Sequence, residues 1–179
     1  MADKSAIFKA ILQVADMERA YYQEHALVLA RHPSETNERL MVRILAFALN
    51  ADEHLAFGRG LSAEDEADLV LNDLTGAALL WIDVGLPDER LIRKACNRSE
   101  RVKVYCYGGR AADVWIRQNL GALEKLKNLT LINLPAESTK ALVDLVRPSM
   151  KLHCTIQDGQ VWLSDGALSV QVEQQAVLP

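Results

Sequence analysis

Four side chains in this sequence have the chemical types for metal-assisted hydrolysis: Glu38, Asp68, Asp83 and Lys94. Hard divalent cations such as Mg2+ and Mn2+ prefer oxygen ligands, and a lysine beside them stabilises negative charge developing on a phosphoryl group. Such a set would activate water against a phosphodiester.

Glu38 stands out by its helical azimuth. At about 100° per residue, Met41, Val42, Leu45 and Leu49 all lie within roughly 60° of it, so the carboxylate points where an apolar residue is expected. Arg39, Arg43, Ala46 and Asn50 form the neighbouring stripe, expected to face solvent. Burying a lone carboxylate costs several kcal/mol, so either a cation meets it or its pKa rises. An ion pair with Arg59 or Arg43 accounts for it as well as a metal does.

Asp83 closes the apolar run Leu79-Leu80-Trp81-Ile82-Asp83-Val84-Gly85, where strand alternation sets it on the face of Leu79 and Trp81. Hydrogen bonding to the following Leu86-Pro87-Asp88 turn is its ordinary explanation. Asp68 begins the preceding run, and a hairpin through Gly76 would bring the two carboxylates within metal-sharing reach. Asp73 competes for that role, while Asp65 and Glu66 read as a solvated acidic loop. Lys94 borders the buried arc of Leu91, Ile92 and Ala95, with Arg90 and Arg93 turned outward, and would otherwise be a favourable charge near a helix C-terminus.

The elements that must position these residues follow from periodicity and breakers. Strands are expected over 5–16 and 24–31, then a helix capped by Ser34 that runs to about 50, with Glu35 in its first turn. A short strand over 54–61 precedes a hairpin of 68–72 and 79–85 around Asp73-Leu74-Thr75-Gly76. Helix 87–98, strand 102–107, helix 111–123, strand 129–134 and helix 138–145 come next. The tail 151–178 reads as a three-stranded meander with turns at Asp158-Gly159 and Asp165-Gly166. Helices and strands are therefore mixed, and with no internal repeat or linker residues 1–179 are expected to form one domain.

Composition narrows the class. With 50% hydrophobic and 25% charged residues the 179-residue chain is an ordinary globular sequence, neither disordered nor repetitive. A net charge of -4 argues against coating nucleic acid through a global positive field. The local basic run Arg90, Arg93, Lys94 and Arg98 could still touch phosphate, though a solvated helix face is the common meaning of such a run. Cys96, Cys106 and Cys154 form no CxxC pair, and His25, His32, His54 and His153 lack zinc spacing. No nucleotide-binding glycine motif is present, so no organic cofactor is expected. Without a membrane-length apolar run or a signal-peptide core, a cytoplasmic location is expected and no membrane partner.

The stretches Leu29-Ala30-Arg31-His32-Pro33-Ser34-Glu35-Thr36-Asn37-Glu38-Arg39 and Trp81-Ile82-Asp83-Val84-Gly85-Leu86-Pro87-Asp88-Glu89-Arg90 closely resemble the bacterial YaeQ family, as do Thr155-Ile156-Gln157-Asp158-Gly159 and Trp162-Leu163-Ser164-Asp165. The resemblance implies a variant of the PD-(D/E)XK nuclease fold: a helix, a β-hairpin, a helix and a strand, here with extra antiparallel strands at both termini. It carries the helix acid onto Glu38 and the two motif acids onto Asp68 and Asp83, a set that would hold Mg2+ or Mn2+. Ala67 stands at the motif proline and Gly85 at the motif lysine, leaving Lys94 of the following helix to supply the amine. The implied function is a metal-dependent nuclease on DNA or RNA. Its alternative is a non-catalytic protein on the same frame that binds nucleic acid or protein and keeps the acids as an ion-pair network.

Overall fold

The computed structural model describes residues 4–59 and 65–179. It is a mixed α/β structure in which two mixed sheets enclose a buried helix. The elements in chain order are β1 (Ala6–Asp16), β2 (Tyr21–Arg31), α1 (Asn37–Leu49), β3 (Leu55–Phe57), β4 (Leu69–Asn72), β5 (Ala78–Val84), α2 (Glu89–Arg98), β6 (Ser99–Cys106), α3 (Arg110–Leu123), β7 (Leu129–Asn133), α4 (Ala136–Leu142), β8 (Ser149–Gln157), β9 (Gln160–Ser164), β10 (Ser169–Val172) and β11 (Gln175–Leu178).

The first sheet has the order β10-β9-β8-β1-β2. Period-2 alternation along β1 buries Phe8, Ala10, Leu12 and Val14 and leaves Ile7 and Ile11 outside. The terminal strands are not all antiparallel to one another: β1 runs parallel to β8, which joins the N-terminal hairpin to the C-terminal meander. The second sheet has the order β11-β7-β6-β5-β4-β3, with β5, β6 and β7 parallel and the other pairs antiparallel. The tail begins with the expected antiparallel meander, β8, β9 and β10 turning at Asp158-Gly159 and Asp165-Gly166, and then adds a further strand. Its last strand, β11, crosses to the second sheet and pairs with β7, where Val177 and Leu178 pack against that sheet's own core.

Alternation along the second sheet sets its two faces. Leu80, Ile82 and Val84 of β5 join α1 and the first sheet, whereas Val102, Val104 and Cys106 of β6 pack with Ile92 and Ala95 of α2 and Leu123 of α3. Helix α1 is therefore covered on both sides, and every residue from Leu40 to Ala48 is buried. The solvent stripe expected for Arg39, Arg43, Ala46 and Asn50 does not exist: Arg39 is mostly covered and the other three are buried. An amphipathic reading assumes one apolar neighbour, and this helix has two. The helix start also moves, since the Thr36 side chain accepts from Arg39 N at 3.0 Å and Ser34 instead bonds His32. Glu35 consequently precedes the helix.

Gly58 is required by a close approach. A Cβ there would lie 1.9 Å from the Ala67 carbonyl oxygen, beside the bond from Gly58 N to Asp68 O of 2.9 Å. Gly58→Ala is expected to push β3 away from the start of β4 and to destabilise the fold by roughly 1–3 kcal/mol, the range for overpacking. Urea unfolding checks this; an unchanged midpoint would mean the contact relaxes freely.

Candidate functional site

Asp68 and Asp83 meet because of strand register. Leu69 of β4 pairs with Ile82 of β5, so the preceding residue on one strand and the following residue on the other stand opposite. Asp68 N donates to Asp83 Oδ1 at 3.4 Å, and Trp81 Nε1 donates to Asp83 Oδ2 at 3.1 Å. Asp68 is buried, with Oδ2 accepting from Val84 N at 2.8 Å and Oδ1 from Arg39 Nη2 at 2.7 Å. Burial, then the neighbouring Asp68 charge, pushes the Asp83 carboxyl up to about 6. Asp73 is not part of this pair. It sits at the hairpin turn, where its Oδ1 accepts from Thr75 N, Thr75 Oγ1 and Ala77 N.

Both carboxylates line a cavity of about 390 Å³ at the C-terminal ends of β5 and β6. Lys94, Leu91 and Arg98 of α2 line it together with Arg39 and Tyr107. Lys94 Nζ lies 3.2 Å from Asp65 Oδ1, an exposed pair of the kind that contributes little energy. Arg90 and Arg93 pair along their own helix with Asp88 and Glu89, so only Lys94 and Arg98 of the basic run line the cavity. Gly85 also lines it, at φ +100. Side-chain-bearing residues rarely adopt that conformation, so the position cannot readily carry the lysine that the motif resemblance puts there.

Glu38 is not brought to the cavity. It belongs to α1, on the opposite face of the sheet from α2, and its Oε2 accepts from Thr139 Oγ1 of α4 at 3.1 Å. Neither arginine considered for it pairs there: Arg59 bonds Glu66, and Arg43 bonds Glu35. Glu35 is the acid of this segment that sequence reasoning missed. Its Oε1 accepts from Arg43 Nη2 at 2.6 Å and its Oε2 from Arg39 Nη1 at 2.7 Å, with the carboxylate fully covered. The signal was in the spacing, because Glu35, Arg39 and Arg43 recur every four residues.

Among the described residues no group of three or more His, Cys, Asp or Glu is assembled to hold a metal ion. The donor chemistry therefore does not fit a three-carboxylate set with Glu38. It does fit one hard cation on two carboxylates, since Mg2+ is commonly held by one or two acids with water and phosphate completing its shell. Of the two hydrogen bonds to Asp83 the one from Asp68 N is long, and each oxygen retains a second lone pair.

A family model described as "YaeQ protein" matches residues 1–174. The relative named "Uncharacterized protein YaeQ" of Salmonella typhi is 45% identical over 174 residues, covering 97% of this chain and 96% of that protein. Its namesake from Escherichia coli (strain K12) is 44% identical over 173 residues, covering 96% and 95%. Among solved structures, the YaeQ protein of Xanthomonas axonopodis pv. citri superposes with a TM-score of 0.94 at 47% identity, covering 97% of this chain and 98% of that one. The Pseudomonas syringae YaeQ protein gives 0.92 at 35% identity, covering 97% and 96%. Among the described residues no helix is long and apolar enough to cross a membrane.

Two outcomes are expected at this site. Arg43→Met leaves Glu35 buried with half of its partners and should cost about 3–5 kcal/mol in chemical denaturation, with most of the loss recovered in Glu35→Gln/Arg43→Met. An additive double mutant would show that the two residues act independently. The Asp83 carboxyl carbon should titrate by NMR with a midpoint near 6, falling in Asp68→Asn because a like charge is removed. The folded state holds this proton more tightly than the unfolded chain, whose aspartate releases it near 3.8. The stability from this group is thus complete below about pH 4 and is lost as pH rises through about 6. A midpoint near 4 in the wild type would contradict this.

Proposed function

The chain belongs to the YaeQ family, and on that premise we propose that it is a metal-dependent phosphodiester hydrolase acting on DNA or RNA, built on a PD-(D/E)XK-like core. One observation carries the reading: Asp68 and Asp83 stand opposite each other in the lining of a cavity that Lys94 and Arg98 also line. Asp68 and Asp83 are the residues that would hold Mg2+ or Mn2+, which supplies Lewis-acid polarisation of a phosphoryl oxygen and a bound water of lowered pKa. The elevated proton affinity of Asp83 supports this, because a carboxylate destabilised by burial and a like charge gains most from a nearby cation.

Lys94 and Arg98 project from α2, so a phosphodiester lying along the cavity would meet two cations on one wall. Lys94 is the amine that positions the attacking water or the scissile phosphate, and its exposed partner Asp65 is readily given up. Arg39 and the Val84 N–H orient the Asp68 carboxylate from behind. The protein is read as cytoplasmic, where its free thiols suit a reducing environment.

A second reading has its own observation. Arg39 and Arg43 together already neutralise Asp68 and Glu35, which a non-catalytic protein that binds nucleic acid or another protein would keep as a structural network. Calorimetric titration of Mn2+ into metal-free protein separates the two. Binding is expected in the wild type and in Lys94→Ala, with loss in Asp83→Asn. Hydrolysis of DNA or RNA strands with Mg2+ should drop on the order of a hundredfold in Lys94→Ala. No Mn2+ binding at millimolar metal would overturn the hydrolase and leave the binding protein.

A further inference from the structure

The two sheets end in four edge strands, and these are unequal. Strands β3, β10 and β11 are three or four residues long, whereas β2 has eleven. A long edge is usually blunted by proline, lysine or a bulge. The β2 sequence contains neither residue, and its register with β1 is unbroken from Tyr21 to Arg31.

Ladder geometry shows which backbone groups lie on the open side. Lys9 N donates to Pro148 O, so alternate residues of β1 beginning with Lys9 direct their polar groups to β8, and Phe8, Ala10 and Leu12 direct theirs to β2. Their partners Leu29, Leu27 and His25 face inward to β1. Tyr22, Glu24, Ala26, Val28 and Ala30 then aim N–H and C=O away from the sheet. The Ala30 carbonyl is already engaged, since it accepts from Arg43 Nη2 at 3.0 Å. Among the described residues nothing bonds the backbone of the other four on that side. Their side chains lie on the outer face, where Tyr22 is 58% and Val28 60% exposed, beside Ile7 and Ile11 of β1.

We propose that β2 pairs antiparallel with β2 of a second copy of this chain, Tyr22 of one copy facing Val28 of the other and Glu24 facing Ala26, about a two-fold axis at His25. This register uses the four open residues of each copy and leaves out Ala30, which a register centred on Ala26 would need. It also sets an aromatic on a β-branched side chain, a favourable cross-strand pair, at both ends of the ladder. Glu24 meets Ala26 and never its own copy, so no like charges oppose each other. The same strand is presented by both copies, as a closed two-fold dimer requires. The two sheets would join into one, while the cavity of Asp68 and Asp83, on the other sheet, stays independent of the contact.

Sedimentation of the full chain over a dilution series tests this, with thermal melting of each variant as the control for folding. The wild type is expected to show a concentration-dependent dimer. Ala26→Glu places glutamate against Glu24 twice per dimer and should raise the Kd roughly tenfold, whereas Ala26→Lys should lower it by a similar factor. Glu24→Lys/Ala26→Glu, which reverses both charges of that pair, should associate as tightly as Ala26→Lys. A monomer up to the solubility limit overturns the proposal, as does a dimer unmoved by both Ala26 variants, which would use another surface. Should Ala26→Glu fail to fold, the opposite sign expected for Ala26→Lys still decides.

Discussion

Arg43 is 1% exposed, and a guanidinium without water must find a carboxylate or leave the interior. It finds Glu35, which holds Arg39 with its other oxygen, and Arg39 in turn holds Asp68. This chain of ion pairs ties the turn before α1, the body of α1 and the start of β4 into one unit. It makes burial of α1 between two sheets possible, because the charged residues of that helix's buried faces meet opposite charges. Asn50 at its far end is answered by the Tyr105 hydroxyl and by Lys103.

The same network governs the cavity. Asp68 is held by Arg39 from one side and by the Val84 N–H from the other, so its position opposite Asp83 is fixed by two independent elements. Asp83 has weaker support, from an indole N–H and a long backbone bond, and it carries the shifted affinity for protons. One carboxylate of the pair is thus neutralised and the other is left wanting a cation. That asymmetry sets the two carboxylates apart although they share one cavity.

Strand alternation explains why the acid of α1 is absent from the cavity. A sheet separates α1 from α2, and residues one apart on β5 serve opposite sides: Ile82 and Val84 look to α1, Trp81 and Asp83 to α2. Lys94 of α2 shares the side of Asp83. Glu38 does not, and it turns to Thr139. Arg39 of α1 does line the cavity, where it bonds Asp68 just ahead of β4.

Local signals in the sequence were enough for the elements themselves: the hairpin at Asp73-Leu74-Thr75-Gly76, the Pro87-Asp88 start of α2, the turns at Asp158-Gly159 and Asp165-Gly166, and the opposition of Asp68 to Asp83 that follows from the hairpin. These depend on residues near one another in the chain, where turn chemistry and periodicity act directly. The burial of α1 on both sides, the pairing of Glu35 with Arg43, the departure of β11 to the second sheet and the turning of Glu38 to Thr139 were decided by tertiary structure. Each depends on which distant surface meets a side chain. Periodicity tells how residues are arranged around a helix and is silent on how many neighbours that helix has.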